Sequence, residues 1–188
     1  NKPVFAFYQS RNNFPVIKQM VAYWDTLAKE NGFAGIMCLS KDILYPVKLE
    51  RRMKYSPFQM TTPLLFLKYK LKSKKYLKMG QPARWNYDEV WKDILMEARM
   101  ATKDSYLCGF VDYDDSPRRG NKARIVEGAT PEKFEMYMTE LINISKKQNK
   151  EYVFLMAWNE WGEGSYLEPD TYNRYGYLEA IKKITGKK

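Results

Sequence analysis

The sequence predicts an α/β fold in which parallel strands are covered by helices. Three observations carry that expectation. Short strand-like runs alternate with longer runs of helical periodicity along the chain. The strand-like runs are continuously apolar, as strands buried on both faces must be. Each helical run shows one apolar stripe, the face that would lie on a sheet.

The first strand is Pro3 to Tyr8, short, apolar and aromatic. Pro15 opens a helix that runs to Asn31, with Ile17, Met20, Val21, Trp24, Leu27 and Ala28 at three-and-four spacing. Asn31-Gly32 stops it. Ala34 to Leu39 reads as a second strand and Met53 to Pro57 as a third. Residues 58–84 are basic and irregular in pattern, which predicts an insertion or a long loop with some helix. Asn86 or Asp88 then caps a helix to about Thr102, with Val90, Trp91, Ile94, Leu95 and Ala98 on one face. Tyr106 to Val111 is a strand, and 112–129 a polar, glycine-containing loop. Thr130 is a good N-cap and Pro131 a good first residue for a helix to Gln148, with Phe134, Tyr137, Met138, Leu141, Ile142 and Ile144 inward. Tyr152 to Trp158 is a further buried strand, and Tyr175 to Ile184 a last helix.

The chain has 188 residues, 45% of them hydrophobic, which is enough for one domain with a substantial core. A complete eight-unit barrel needs roughly 250 residues. The chain is therefore read as one domain over residues 1–188, either a compact open α/β domain or part of a barrel.

Composition excludes several chemistries. The chain has no histidine. That removes Ser-His and Cys-His triads and histidine zinc sites, so an acid–base catalyst must be a carboxylate, Lys, Tyr or Cys. No metal or cofactor is expected. Cys38 and Cys108 sit in apolar stretches and read as reduced, buried thiols. No apolar run approaches the roughly 20 residues needed to span a bilayer. No signal peptide is visible and a cytoplasmic location is expected, although a chain that begins at Asn1 without a Met need not start at the original N-terminus.

The formal charge is +10. Much of the excess falls on Lys68, Lys70, Lys72, Lys74, Lys75 and Lys78. Such a run reads as a solvated face or a mobile insert. The alternatives are peripheral attraction to anionic lipid, at the inner face of a membrane, or to an anionic glycan. No motif supports nucleic-acid binding, and none is expected.

The most informative stretch is Tyr152 to Gly164. A buried strand ends directly in Trp158-Asn159-Glu160-Trp161-Gly162-Glu163-Gly164. In parallel α/β folds chemistry sits at the C-terminal ends of strands. Glu160 and Glu163 would point apart on a strand but come together on a tight turn, which Gly162 and Gly164 permit. One protonated and one ionised carboxyl side by side suit glycosidic chemistry. Trp158, Trp161 and Tyr166 suit stacking on the apolar face of a sugar, and Asn159 can bond a hydroxyl. The plain alternative is a structural loop whose two Glu bond backbone groups or arginines.

A second cluster, Asp112, Asp114 and Asp115, follows the strand ending at Val111. It reads either as hydroxyl-binding or as a loop that bonds itself. Arg118 and Arg119 can grip a phosphate or sugar carboxylate, or pair with Asp114 or Glu163. Tyr8 ends the first strand and could line the same cleft. Tyr175 and Tyr177 read as packing residues of the last helix.

The run Trp158 to Asp170, followed by Arg174-Tyr175-Gly176-Tyr177-Leu178-Glu179-Ala180, resembles the C-terminal signature of WbsX-type proteins. These are glycosyltransferases of bacterial surface-polysaccharide synthesis, grouped with glycoside hydrolase family 99-like domains. Asp114-Asp115-Ser116-Pro117-Arg118-Arg119-Gly120 resembles the same family's Asp-Asn-Thr-Pro-Arg-Arg segment, with Asp115 and Ser116 as departures. The resemblance covers most of the chain, though 41–85 match poorly. It implies a (β/α) TIM-barrel-like fold, present here as a partial barrel that lacks N-terminal strands. Family 99 endo-mannosidases carry a Glu-Trp-His-Glu motif whose two Glu perform catalysis. Glu160-Trp161-Gly162-Glu163 is similar to it, with Gly162 in place of the His. The resemblance thus implies that Glu160 assists attack through a neighbouring sugar hydroxyl and that Glu163 is the acid/base. The implied substrate is a glycan or sugar donor. Glycosyl transfer in lipopolysaccharide O-antigen or capsule assembly leads, a retaining endo-glycosidase is the close rival, and a non-catalytic glycan-binding domain is the third reading.

Overall fold

The computed structural model of the chain describes residues 1–7, 14–40, 51–52, 57–58 and 60–186. They fall into two compact units, Asn1–Lys54 with Thr102–Tyr106, and Tyr55–Ala101 with Leu107–Lys188.

In the first unit, strand β1 (Val4–Phe7) leads to helix α1 (Phe14–Glu30), β2 (Met37–Ser40) and the two-residue β3 (Arg51–Arg52). The three strands are parallel in the order β1-β2-β3. The expected helical stripe packs inward, with Ile17, Met20, Val21 and Trp24 clustered on Phe7 and Cys38. Asp25 fixes the return from α1 to β2. Its carboxylate accepts the Ile36 amide (2.9 Å) and the Lys29 ammonium (2.6 Å). Gly35 adopts a positive φ of 103°, and a Cβ there would collide with the Asp25 carboxylate. The strand expected over Met53 to Pro57 lies largely outside the described residues.

In the second unit, α2 (Pro63–Lys78) precedes β4 (Ala83–Asn86), α3 (Tyr87–Arg99) and β5 (Leu107–Phe110). The one-turn α4 (Ser116–Arg119), β6 (Arg124–Glu127), α5 (Pro131–Lys147) and β7 (Val153–Met156) follow. The short β8 (Asn159–Glu160) and β9 (Ser165–Tyr166) precede the last helix, α6 (Gly176–Thr185). The pairs β4–β6 and β5–β7 are parallel, and β8–β9 is an antiparallel hairpin.

The parallel pairing and covering helices agree with the predicted α/β class. The described strands do not close into a barrel. The caps fall where the sequence puts them. Asn86 accepts the Glu89 amide (3.1 Å) and Thr130 the Lys133 amide (3.2 Å). The segment 58–84, expected as an insertion or a long loop with some helix, is in its described residues mostly the regular helix α2 followed by the start of β4. The expected loop 112–129 also contains α4 and β6.

One core unites the helices and strands of this unit. Trp91 of α3 stacks on Phe110 of β5 (5.3 Å between centroids) and on Tyr137 of α5 (5.6 Å). Gly109 of β5 lies directly beneath Trp91 and Met138, so both helices press close to the strand. Cys38 and Cys108 are buried and form no disulfide. Among the described residues, no helix is long and apolar enough to cross a membrane.

Candidate functional site

The site is built where β5 and β7 end side by side. Phe110 pairs with Met156, and the Val111 amide extends the ladder to the Met156 carbonyl (2.9 Å). Two loops therefore leave the same edge of the sheet. One carries Asp112, Asp114 and Asp115, and the other carries Trp158 to Tyr166.

The second loop is a compact hairpin. Asn159 pairs with Tyr166 and Glu160 with Ser165, and Trp161–Glu163 form a 3-10 turn between them. The fully buried Ser165 anchors the hairpin by donating its hydroxyl to the Met156 carbonyl (3.0 Å). Gly164 closes the turn at φ 61°, and a Cβ there would lie 3.2 Å from the Asp114 amide nitrogen. That amide donates instead to the Glu163 carbonyl (2.7 Å), joining the two loops through their backbones. A turn, not a continuing strand, thus separates Glu160 from Glu163.

Arg118, at the end of the first loop, pairs with the Glu163 carboxylate. The Cβ position of Gly162 lies 3.3 Å from Glu160 Oε1 and 3.9 Å from Arg118 Nε. The Arg118 side chain and Glu160 Oε1 thus both approach the open side of Gly162, and Glu163 is the carboxylate that the guanidinium pairs with. Arg119 pairs instead with Asp115 (2.9 Å). Asp115, 1% exposed, also accepts the Arg124 amide (2.6 Å) and the Tyr113 hydroxyl (3.2 Å). Asp114 turns back on its own loop and accepts the Ser116 amide (2.8 Å). Asp114 and Asp115 thus both bond groups of their own loop.

Asp112 is different. Burial pushes its carboxyl up to about 6, against the opposing Tyr113 amide bond and with a smaller contribution from the Asp114 charge. A carboxyl raised in this way at a strand end is a candidate for a functional role.

The aromatic platform is exposed. Trp158 and Trp161 are 56% and 49% accessible, and Trp161 stacks on Tyr166 with ring centroids 3.7 Å apart. The Trp161 indole donates to Glu168 (2.6 Å) and the Tyr166 hydroxyl to Asp170 (3.0 Å). Burial, with Asp170 as the next cause, pushes the Tyr166 phenol up to about 12. Asn159 is exposed beside them. Tyr8 lies outside the described residues. Among the described residues, no cluster of three or more acidic or cysteine side chains is arranged to hold a metal ion.

The family model for glycosyltransferase WbsX matches residues 1–181. The chain belongs to the WbsX glycosyltransferase family. Membership gives it a carbohydrate-related role. It is 25% identical over 193 aligned positions to uncharacterized WxcX proteins from two strains of Xanthomonas campestris pv. campestris. The match takes in 97% of this chain and 27% of each relative, so the chain spans about a quarter of their length. No solved structure matches it.

Sequence reasoning missed two features of this WbsX-family chain. Tyr175, expected to pack, is 62% exposed, whereas Tyr177 is buried against Phe134 at 5.5 Å. Asp170 organises the loop that carries the exposed Tyr172. It accepts the amides of Tyr172 (2.8 Å), Asn173 and Arg174 (3.2 Å), besides the Tyr166 hydroxyl. The local signal was the Asp170-Thr171-Tyr172-Asn173 run, a side chain that caps its own turn.

Proposed function

We propose that this chain bears the carboxylate pair of a WbsX-family enzyme that transfers glycosyl groups in bacterial surface-polysaccharide assembly. The observation that supports this reading is the turn at the β7 edge, with Glu160 and Glu163 at its two ends and Arg118 paired with Glu163. Glu163 serves as the acid/base, oriented by Arg118. Glu160 assists attack at the anomeric carbon through the adjacent sugar hydroxyl. Trp158 and the Trp161–Tyr166 stack receive the apolar face of the sugar, while Asn159 and Asp112 bond its hydroxyls. In this reading the parallel strand pairs belong to a larger (β/α) barrel.

Glu163→Gln tests the reading. Turnover should fall by about 10²–10⁴-fold, while glycan binding measured by calorimetry stays near wild type. Unchanged turnover would remove Glu163 from the mechanism. A retaining endo-glycosidase is the second reading. It is favoured because Arg118, the nearest candidate for a donor phosphate, is already engaged by Glu163. Release of reducing ends without an acceptor glycan would select it over transfer. Glycan binding that survives both Glu→Gln variants, with no turnover in any form, would select a non-catalytic binding domain.

A further inference from the structure

We propose that α2 carries a docking surface for an anionic lipid bilayer. The helix is Pro63-Leu-Leu-Phe-Leu-Lys-Tyr-Lys-Leu-Lys-Ser-Lys-Lys-Tyr-Leu-Lys78, with six lysines and no acidic residue. Its inner face is packed against the core. Leu65 and Tyr69 are buried, and Tyr69 stacks on Trp85 at 4.3 Å. Lys68 is drawn to Asp93 (2.7 Å), and Lys72 lies over the Trp85 ring (4.3 Å).

The outer face has a different composition. Leu64, Leu67, Leu71, Lys74, Lys75 and Lys78 recur at three-and-four spacing, so they share one stripe. All six are exposed, Leu64 at 74%. The stripe is apolar along the first half of the helix and basic along the second. Phe66 and Lys70 flank it, with the ammonium 5.9 Å from the ring centroid. Among the described residues, Lys74, Lys75 and Lys78 form no ion pair.

Charge complementarity selects the occupant. Leucines alone would suit any apolar partner, and lysines alone any polyanion. Leucines and lysines on one stripe match a surface that is anionic outside and apolar just beneath, which is the headgroup boundary of an acidic bilayer. The leucines enter the acyl boundary while the lysine ammonium groups stay at headgroup level.

Vesicle co-sedimentation of the protein tests this, with phosphatidylcholine alone or mixed with phosphatidylglycerol. Binding to the mixed vesicles and not the neutral ones is expected, weakening as salt rises. Lys74→Glu/Lys75→Glu/Lys78→Glu should lower the partition coefficient roughly a hundredfold. Leu67→Ser/Leu71→Ser should lower it about tenfold or more at unchanged charge. These side chains are exposed, so both variants should keep the wild-type thermal transition. Equal binding to both vesicle types, or no change in either variant, overturns the proposal. So does self-association that Leu67→Ser/Leu71→Ser abolishes without any vesicle binding, which assigns the face to a second copy. Retention of a nucleic-acid duplex without vesicle binding overturns it as well.

Discussion

The Arg118 guanidinium is paired with the Glu163 carboxylate, and the two lie on different loops of one sheet edge. Arg118 is about half exposed, so solvent screens the pair and its removal should cost about 1 kcal/mol or less in stability. Its effect on turnover should be larger. Arg118→Met frees Glu163 from its orienting partner and should lower kcat by about 10-fold or more. Arg118→Lys keeps the charge but loses the planar fork and should recover only part of the rate. Steady-state kinetics beside urea unfolding separates the two effects. A stability loss with unchanged kcat would make the pair purely structural.

Asp112 should make stability depend on pH with an unusual sign. Its carboxyl is raised from the ordinary 3.8 to about 6, chiefly by burial. The folded state then holds a proton that the unfolded state releases. Stability is full below the unfolded value and falls as pH rises through about 6, by up to about 3 kcal/mol. Asp112→Asn removes this dependence while keeping an acceptor for the Tyr113 amide. The variant should be more stable than wild type above about pH 7 and equal to it below about pH 4. Urea unfolding across that range is the measurement. A gain in stability joined to a loss of turnover would assign Asp112 a functional cost.

Glu97 of α3 caps a helix that is not its own. Its carboxylate accepts the Thr61 and Thr62 amides, each at 2.7 Å, just before α2 begins. Glu97→Ala should strand these donors and cost about 2–3 kcal/mol. Amide exchange should accelerate first at the leading turn of α2. Glu97→Gln, which keeps an acceptor oxygen, should cost less.

Gly109→Ala should destabilise by overpacking. The new Cβ would stand 2.7 Å from the Trp91 ring and press on the Met138 sulfur. A loss of about 1–3 kcal/mol is expected in chemical denaturation. A double-mutant cycle with Met138→Ala should show favourable coupling, because truncating Met138 relieves one of the two collisions.

Those relationships explain what was legible beforehand. Helices α3 and α5 carry their own caps, Asn86 and Thr130, and one apolar stripe each, so spacing alone located them. Helix α2 carries neither signal. The Thr62 side chain makes no cap bond, the amides are served by distant Glu97, and leucines occupy both faces. Strands β4 and β6 were missed because they alternate where continuous apolar runs were expected. Trp85 and Val126 point inward, while Arg84 and Glu127 pair outside. Glu160 and Glu163 stood out as candidates because they are near neighbours in one motif. Their Arg118 partner was only one of several options, since nothing local chooses between Glu163 and Asp114 across 45 residues of separation.

The carboxylate of Asp170 has one further consequence. It gathers amides from three of the next four residues and reaches back to Tyr166. Each of those bonds counts residues, so adding or deleting even one between 170 and 174 would unseat several at once. The side chains at Thr171 and Tyr172 can vary freely within that frame, as can the exposed Tyr175 just beyond it. Diversity at this rim should therefore arise by substitution, and insertions should collect elsewhere in the chain.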